Sequence, residues 1–191
     1  MKSKIQVIQK LNKIMSKKIF LVALFFIGIG ATQAQGSSDK EQAKQLKWYT
    51  DVKEAIKVSD KEKKPLLLFF TGSDWCGWCI RLQKEVLKTP EFAKWAKENV
   101  VLVELDFPRR TAQPEEIKKQ NNELQQAFGV QGFPTVYFAN ATVSKEGKVN
   151  FEGLGSTGYV AGGPTAWLDV ANPFVKKSIL KAETKPKSKK S

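Results

Sequence analysis

Two stretches of the chain are apolar at nearly every position, Leu66-Leu-Leu-Phe-Phe70 and Val100-Val-Leu-Val-Glu-Leu-Asp-Phe107. Runs of that length without polar alternation predict central strands covered on both faces. Leu46-Lys-Trp-Tyr49 predicts a shorter strand before them. Thr50 or Asp51 can cap a helix running to about Ser59, with Val52, Ala55, Ile56 and Val58 on its apolar face. From Cys76 the spacing turns helical, placing Cys79, Leu82, Val86 and Leu87 on one side until Thr89-Pro90 interrupts it. Glu91–Asn99 predicts a second helical piece carrying Phe92 and Trp95, and Glu115–Phe128 another, with Ile117, Leu124, Ala127 and Phe128 inward. Pro134–Phe138 and Lys148–Gly153 predict two strands around a turn at Lys145-Glu-Gly147. Gly162-Gly-Pro164 opens a last helix whose apolar face is Ala166, Trp167, Val170 and Phe174. The alternation of strand and helix, closed by a hairpin and a helix, predicts an α/β fold: a central mixed sheet flanked by helices on both faces.

Charge changes the picture only after the chain is divided. The formal net charge of +13 over 191 residues suggests a polyanion or membrane partner. Residues 1–34, however, hold six lysines and no acidic residue, and residues 176–191 hold seven lysines and one glutamate. The intervening segment carries nineteen basic and eighteen acidic residues, so the folded part is nearly neutral and no nucleic-acid partner is expected.

Lys17-Lys18 is followed by an uncharged run from Ile19 to Ala31 and then by Thr32-Gln-Ala34. A basic start, a short apolar stretch and a small-x-small site make a secretory signal peptide pattern, with residues 1–34 removed and Gln35 first in the mature chain. An uncleaved anchor is the rival, but 13 apolar residues fall short of the roughly 20 that a helix needs to cross a bilayer. Met15 is an alternative start. The domain plan is then a flexible lead over 35–45, a folded domain over 46–175 and a disordered basic tail over 176–191. That tail either solubilises the chain or makes weak contact with anionic lipid.

The chain has no histidine and two cysteines, which excludes imidazole acid–base chemistry and leaves too few ligands for a zinc site. No metal and no cofactor is expected. Export implies an oxidising compartment, yet a Cys76–Cys79 bridge closes a loop too small to constrain the unfolded chain appreciably. The pair therefore points to chemistry. Cys76, at the start of a helix, has its thiolate favoured by unpaired N–H groups and the dipole, while Cys79, one turn in, stays protonated and resolves. Two inert thiols or a structural bridge is the alternative.

Leu66–Phe70, Trp75-Cys-Gly-Trp-Cys79, Val101–Asp106 and Gly132-Phe-Pro-Thr135 in combination resemble the thioredoxin superfamily, over nearly all of 46–175. Phe69–Ile80, Val103–Pro108 and Gln113–Glu116 are most similar to its bacterial periplasmic thiol-disulfide oxidoreductases. The resemblance implies a thioredoxin-like fold, a redox-active disulfide between Cys76 and Cys79, and a cis peptide at Phe133-Pro134 that leaves the Phe133 backbone free for an extended substrate. It further implies a monomeric reductase of periplasmic protein disulfides, contributing to cell redox homeostasis and re-reduced by a membrane electron donor of the DsbD type. A thiol oxidase or isomerase, and a peptide-binding module without turnover, are the alternatives.

Two departures limit the carry-over. Family members place a buried Asp six residues before the first cysteine, where this chain has Phe70, and a buried Lys where it has Leu102. Asp74, Glu104 or water then remain as proton acceptors. The dipeptide Gly77-Trp78 carries no charge and Asp74 opposes a thiolate, so the balance leans toward reductase or isomerase.

Trp75, Gly77, Trp78, Phe133 and Pro134 are the expected substrate-binding residues. For Trp75, packing under the loop is the favoured reading; for Trp78, packing and a substrate collar are equally open. Arg109-Arg110 and Lys118-Lys119 read as solvated charge before they read as a steering patch. Gly153-Leu-Gly155 reads either as a turn or as backbone for substrate docking near the hairpin end.

Overall fold

A computed structural model describes residues 46–144 and 146–184. The expected signal peptide, the lead over 35–45 and the tail beyond 184 lie outside the described residues. Five strands form one sheet in the order β1-β3-β2-β4-β5. They are β1 (Trp48–Tyr49), β2 (Leu66–Thr71), β3 (Val101–Asp106), β4 (Thr135–Val143) and β5 (Val149–Thr157). The first three run parallel, β4 adds antiparallel to β2, and β5 adds antiparallel to β4.

Helices cover both faces. α1 (Val52–Glu62) and α4 (Glu115–Ala127) pack with Leu66, Leu68, Phe70, Val103 and Leu105. α2 (Gly77–Leu82), α3 (Pro90–Asn99) and α5 (Gly163–Thr184) pack with Leu67, Phe69, Leu102 and Phe138. Every residue of β2 is buried, as the unbroken apolar run predicts. Asp51 caps α1 by accepting the Lys53 N–H at 2.7 Å, and Lys63, left-handed at φ 57°, ends it three residues beyond the expected stop.

The helix after the cysteines is not uniform. Its second part, Gln83–Leu87, is π-helical, closed by the Lys88 N–H donating to the Gln83 carbonyl at 2.9 Å. The extra residue in that turn lets the sequence neighbours Val86 and Leu87 both face inward. Thr89 then caps α3, accepting from the Phe92 N–H, with Pro90 at a position where it loses no bond.

Several expected faces differ. In α4, Ala127 is exposed, and Asn121 takes an inward place because its amide donates to the Asp106 carbonyl at 2.9 Å. In α5, Val170 is exposed and the buried stripe is Trp167, Ala171, Val175 and Ser178. The helix also runs to Thr184, past Lys176 where the basic tail was expected to begin. Gly153-Leu-Gly155 is a strand segment rather than a turn. It lies within β5, where the register slips against Phe138 and Ala139 so that Leu154 bulges into the core. A Cβ on Gly155 would collide with the Phe174 ring, so packing of α5 requires the glycine.

Candidate active site

Cys76 and Cys79 are joined in a disulfide with Cα atoms 5.2 Å apart, at the entry to α2. The loop from β2 sets them there: Gly72 accepts the Cys76 N–H at 2.9 Å, and the Trp75 ring lies so close over Gly72 that any Cβ would clash. Cys76 is the N-cap residue, its Sγ accepting the Cys79 N–H at 3.2 Å. Both cysteines are buried, Cys76 at 6% exposure and Cys79 at 0%.

Trp75 packs as expected, and it does more than fill space. Its Nε1–H donates to the Phe107 carbonyl at 2.8 Å and its ring meets Phe133 edge-on at 5.9 Å. Phe133 in turn lies 5.1 Å from Phe107, and the Phe133-Pro134 bond is cis. Among the described residues no hydrogen bond engages the Phe133 N–H or carbonyl. Trp75 and Phe133 thus pack against the core cluster that contains both cysteines. Gly77 opens α2 with empty space beside it, so no close approach requires a glycine there.

Trp78 is 55% exposed. Tyr159 lies 5.2 Å from its ring, and the Arg81 guanidinium sits 5.4 Å from Trp78 and 5.2 Å from Tyr159. Glu85 ties this group: Arg81 Nε donates to it at 2.8 Å and the Tyr159 hydroxyl donates to its other oxygen. Those two donors hold the Glu85 carboxyl below the usual carboxylate range. The Arg81–Glu85 spacing of four was readable on a helix, whereas Tyr159, 74 residues from Glu85, carried no such signal.

Asp74 is held as a carboxylate by the loop after β3. Its carboxylate accepts the Arg109 N–H at 3.0 Å and the Arg110 N–H at 2.7 Å, which holds it below the usual range. Bound in this way, it is a poor proton acceptor. Arg109 is not simply solvated either, since its guanidinium stacks 3.7 Å over the Trp75 ring. Lys118 and Lys119 match the solvated reading, facing Glu115 and Glu123 on the exposed surface of α4.

The missing buried Asp also needs a new address. Phe70 points into the α1 and α4 layer, away from the cysteines; Phe69 and Leu102 lie on the cysteine face. Glu104 pairs in register with Phe69, and burial first, then repulsion from Asp106, pushes its carboxyl above the usual range. A raised folded-state value means that stability is lost as pH climbs from the unfolded to the folded pKa, and stays lost above it. Glu104→Gln is accordingly expected to melt higher than the wild type near neutral pH and alike at about pH 3, where the carboxyl is protonated in both states. Thermal melts at the two pH values check this, and an equal difference at both would refute it.

Comparison with known proteins agrees with this geometry. The thioredoxin-like domain family matches residues 52–155. Over 119 residues the chain is 40% identical to the disulfide bond reductase DsbH of Chlamydia pneumoniae, a span of 62% of this chain and 71% of that protein. Over 127 residues it is 29% identical to the thioredoxin-related protein DsbJ of the same organism, covering 66% of this chain and 36% of that one. A solved structure of a DsbH oxidoreductase superposes with a TM-score of 0.59 at 38% identity, covering 69% of this chain and 85% of that chain.

Proposed function

The chain belongs to the thioredoxin-like family, and we propose that within it this disulfide oxidoreductase acts as an exported reductase of protein disulfides. The observation that carries the reading is the Cys76–Cys79 disulfide at a helix entry, with Cys76 as N-cap residue and slightly more exposed than Cys79.

In the reduced form the Cys76 thiolate attacks a substrate disulfide, forming a Cys76–substrate disulfide and expelling one substrate thiolate. The Cys79 thiol then loses its proton and attacks Cys76 Sγ, which re-forms the Cys76–Cys79 bond and releases the second substrate thiolate. Two electrons pass from the dithiol to the substrate. The Cys79 N–H on Cys76 Sγ favours the first thiolate, and the unpaired Phe133 backbone with the exposed ring of Trp78 suits an extended segment laid across the site. A membrane electron donor of the DsbD type would restore the dithiol.

The reductase direction rests on the plain chemistry between the cysteines, where Gly77-Trp78 adds no charge. The reduction potential of the Cys76–Cys79 couple against glutathione tests it. A value nearer thioredoxin's roughly −270 mV than DsbA's roughly −120 mV is expected, together with reduction of insulin disulfides. A value at the oxidising end would assign the chain to thiol oxidation instead.

A further inference from the structure

The loop after β3 meets the cysteine loop in two ways, through backbone N–H groups and through the Arg109 side chain. The Asp74 carboxylate, one residue before Trp75, is occupied by the backbone N–H groups of Arg109 and Arg110. The Arg109 side chain then folds back and lies 3.7 Å over the Trp75 ring. Trp75 packs on the core cluster that contains both cysteines. Among the described residues no carboxylate lies within ion-pairing distance of the Arg109 guanidinium.

The other charged groups around the cysteines are already committed. Arg81 is spent on Glu85, which also holds the Tyr159 hydroxyl. Asp106 takes the Ser73 N–H at 2.8 Å and the Ser73 hydroxyl at 2.6 Å. Glu104, Lys84 and Lys88 line a cleft along the far side of α2 with Ser73, Ile80 and Gln83. Arg110 is exposed.

We propose that Arg109 is a positioning and charge-supplying residue for the reaction, its guanidinium held flat on Trp75 so that its field favours the Cys76 thiolate. The same aromatic contact helps fix the loop, because Trp75 contacts both the Arg109 guanidinium and the Phe133 ring. The effect is modest in size, since Arg109 is exposed and therefore screened by salt. It shifts the dithiol couple toward the oxidising side of where a bare Gly-Trp loop would put it.

This inference rests on Cys76 being the attacking thiol, and its readout is separate from turnover. In a Cys79→Ala background Cys76 is the sole thiol of the chain, and its ionisation can be followed by thiolate absorbance and by the pH dependence of alkylation. Arg109→Met keeps aliphatic cover on the indole and removes the charge; it is expected to raise the Cys76 midpoint by about half a unit, roughly a threefold loss of thiolate below it. Arg109→Lys is expected to restore most of that shift, and Arg110→Met to leave the midpoint unchanged. Added salt should raise the midpoint of the Arg109 protein and leave the Met variant's in place. A Met variant that titrates like its parent, or Lys and Met variants that shift equally, would overturn the role of the charge. Failure of insulin reduction with the titration shift intact would overturn the proposed function instead.

Discussion

The Cys79→Ala chain is expected to accumulate as mixed disulfides through Cys76, with substrate turnover reduced to the rate at which an external thiol rescues it. Cys79 sits with its sulfur within bonding distance of Cys76 Sγ and its backbone N–H on the same atom. Well-oriented intramolecular groups act with effective concentrations far above molar, so a thiol supplied at about 1 mM should release the trapped partner at least about a thousandfold more slowly. Because Cys76 is only 6% exposed, rescue by a bulky thiol should be slower still. Non-reducing gels and mass spectrometry of the adducts read the outcome. Their absence, in a variant still able to be alkylated at Cys76, would contradict the division of labour between the two sulfurs.

The second large effect lies in the core. Trp167 is fully buried, meets Phe92 at 5.8 Å, Trp95 at 6.3 Å and Phe138 at 6.3 Å, and donates its Nε1–H to the Gly158 carbonyl at 3.0 Å. Truncating it to alanine removes the largest side chain of that layer and leaves the carbonyl without its donor. A loss of about 3–5 kcal/mol is expected, a large part of the 5–15 kcal/mol that typical domains possess. Trp167→Phe should cost less, because it keeps ring packing and forfeits only volume and the hydrogen bond. Denaturant unfolding of the oxidised proteins measures both, and an alanine variant within about 1 kcal/mol of wild type would contradict the packing account. The layer also carries Cys79, Leu82 and Val86, so loosening α5 loosens the support of the cysteine helix.

The fold was readable where a residue pattern has one physical meaning. Unbroken apolar runs gave β2 and β3, Asp51 was one of two cap candidates for α1, and Trp75-Cys-Gly-Trp-Cys79 pointed to its chemistry. Those same unbroken runs hid which face each residue takes, since parity is visible only where polar residues alternate. That is why Phe70 stood in for the cysteine-facing position that Phe69 occupies. The π turn and the Leu154 bulge each insert one residue without any marker in the local pattern. Trp75 under Arg109, and Trp78 beside Tyr159, depend on loops that meet only after the sheet has formed. In α5 the helical period left two neighbouring stripes open, and the aromatic cluster chose the one through Trp167.

The unequal burial of the two cysteines has a kinetic consequence. In the proposed reductase cycle, with Cys79 buried, a disulfide substrate and the reductant that restores the dithiol would both approach Cys76. They would then take the site in turn, each a competitor of the other. An excess of either would slow the half-reaction it does not take part in.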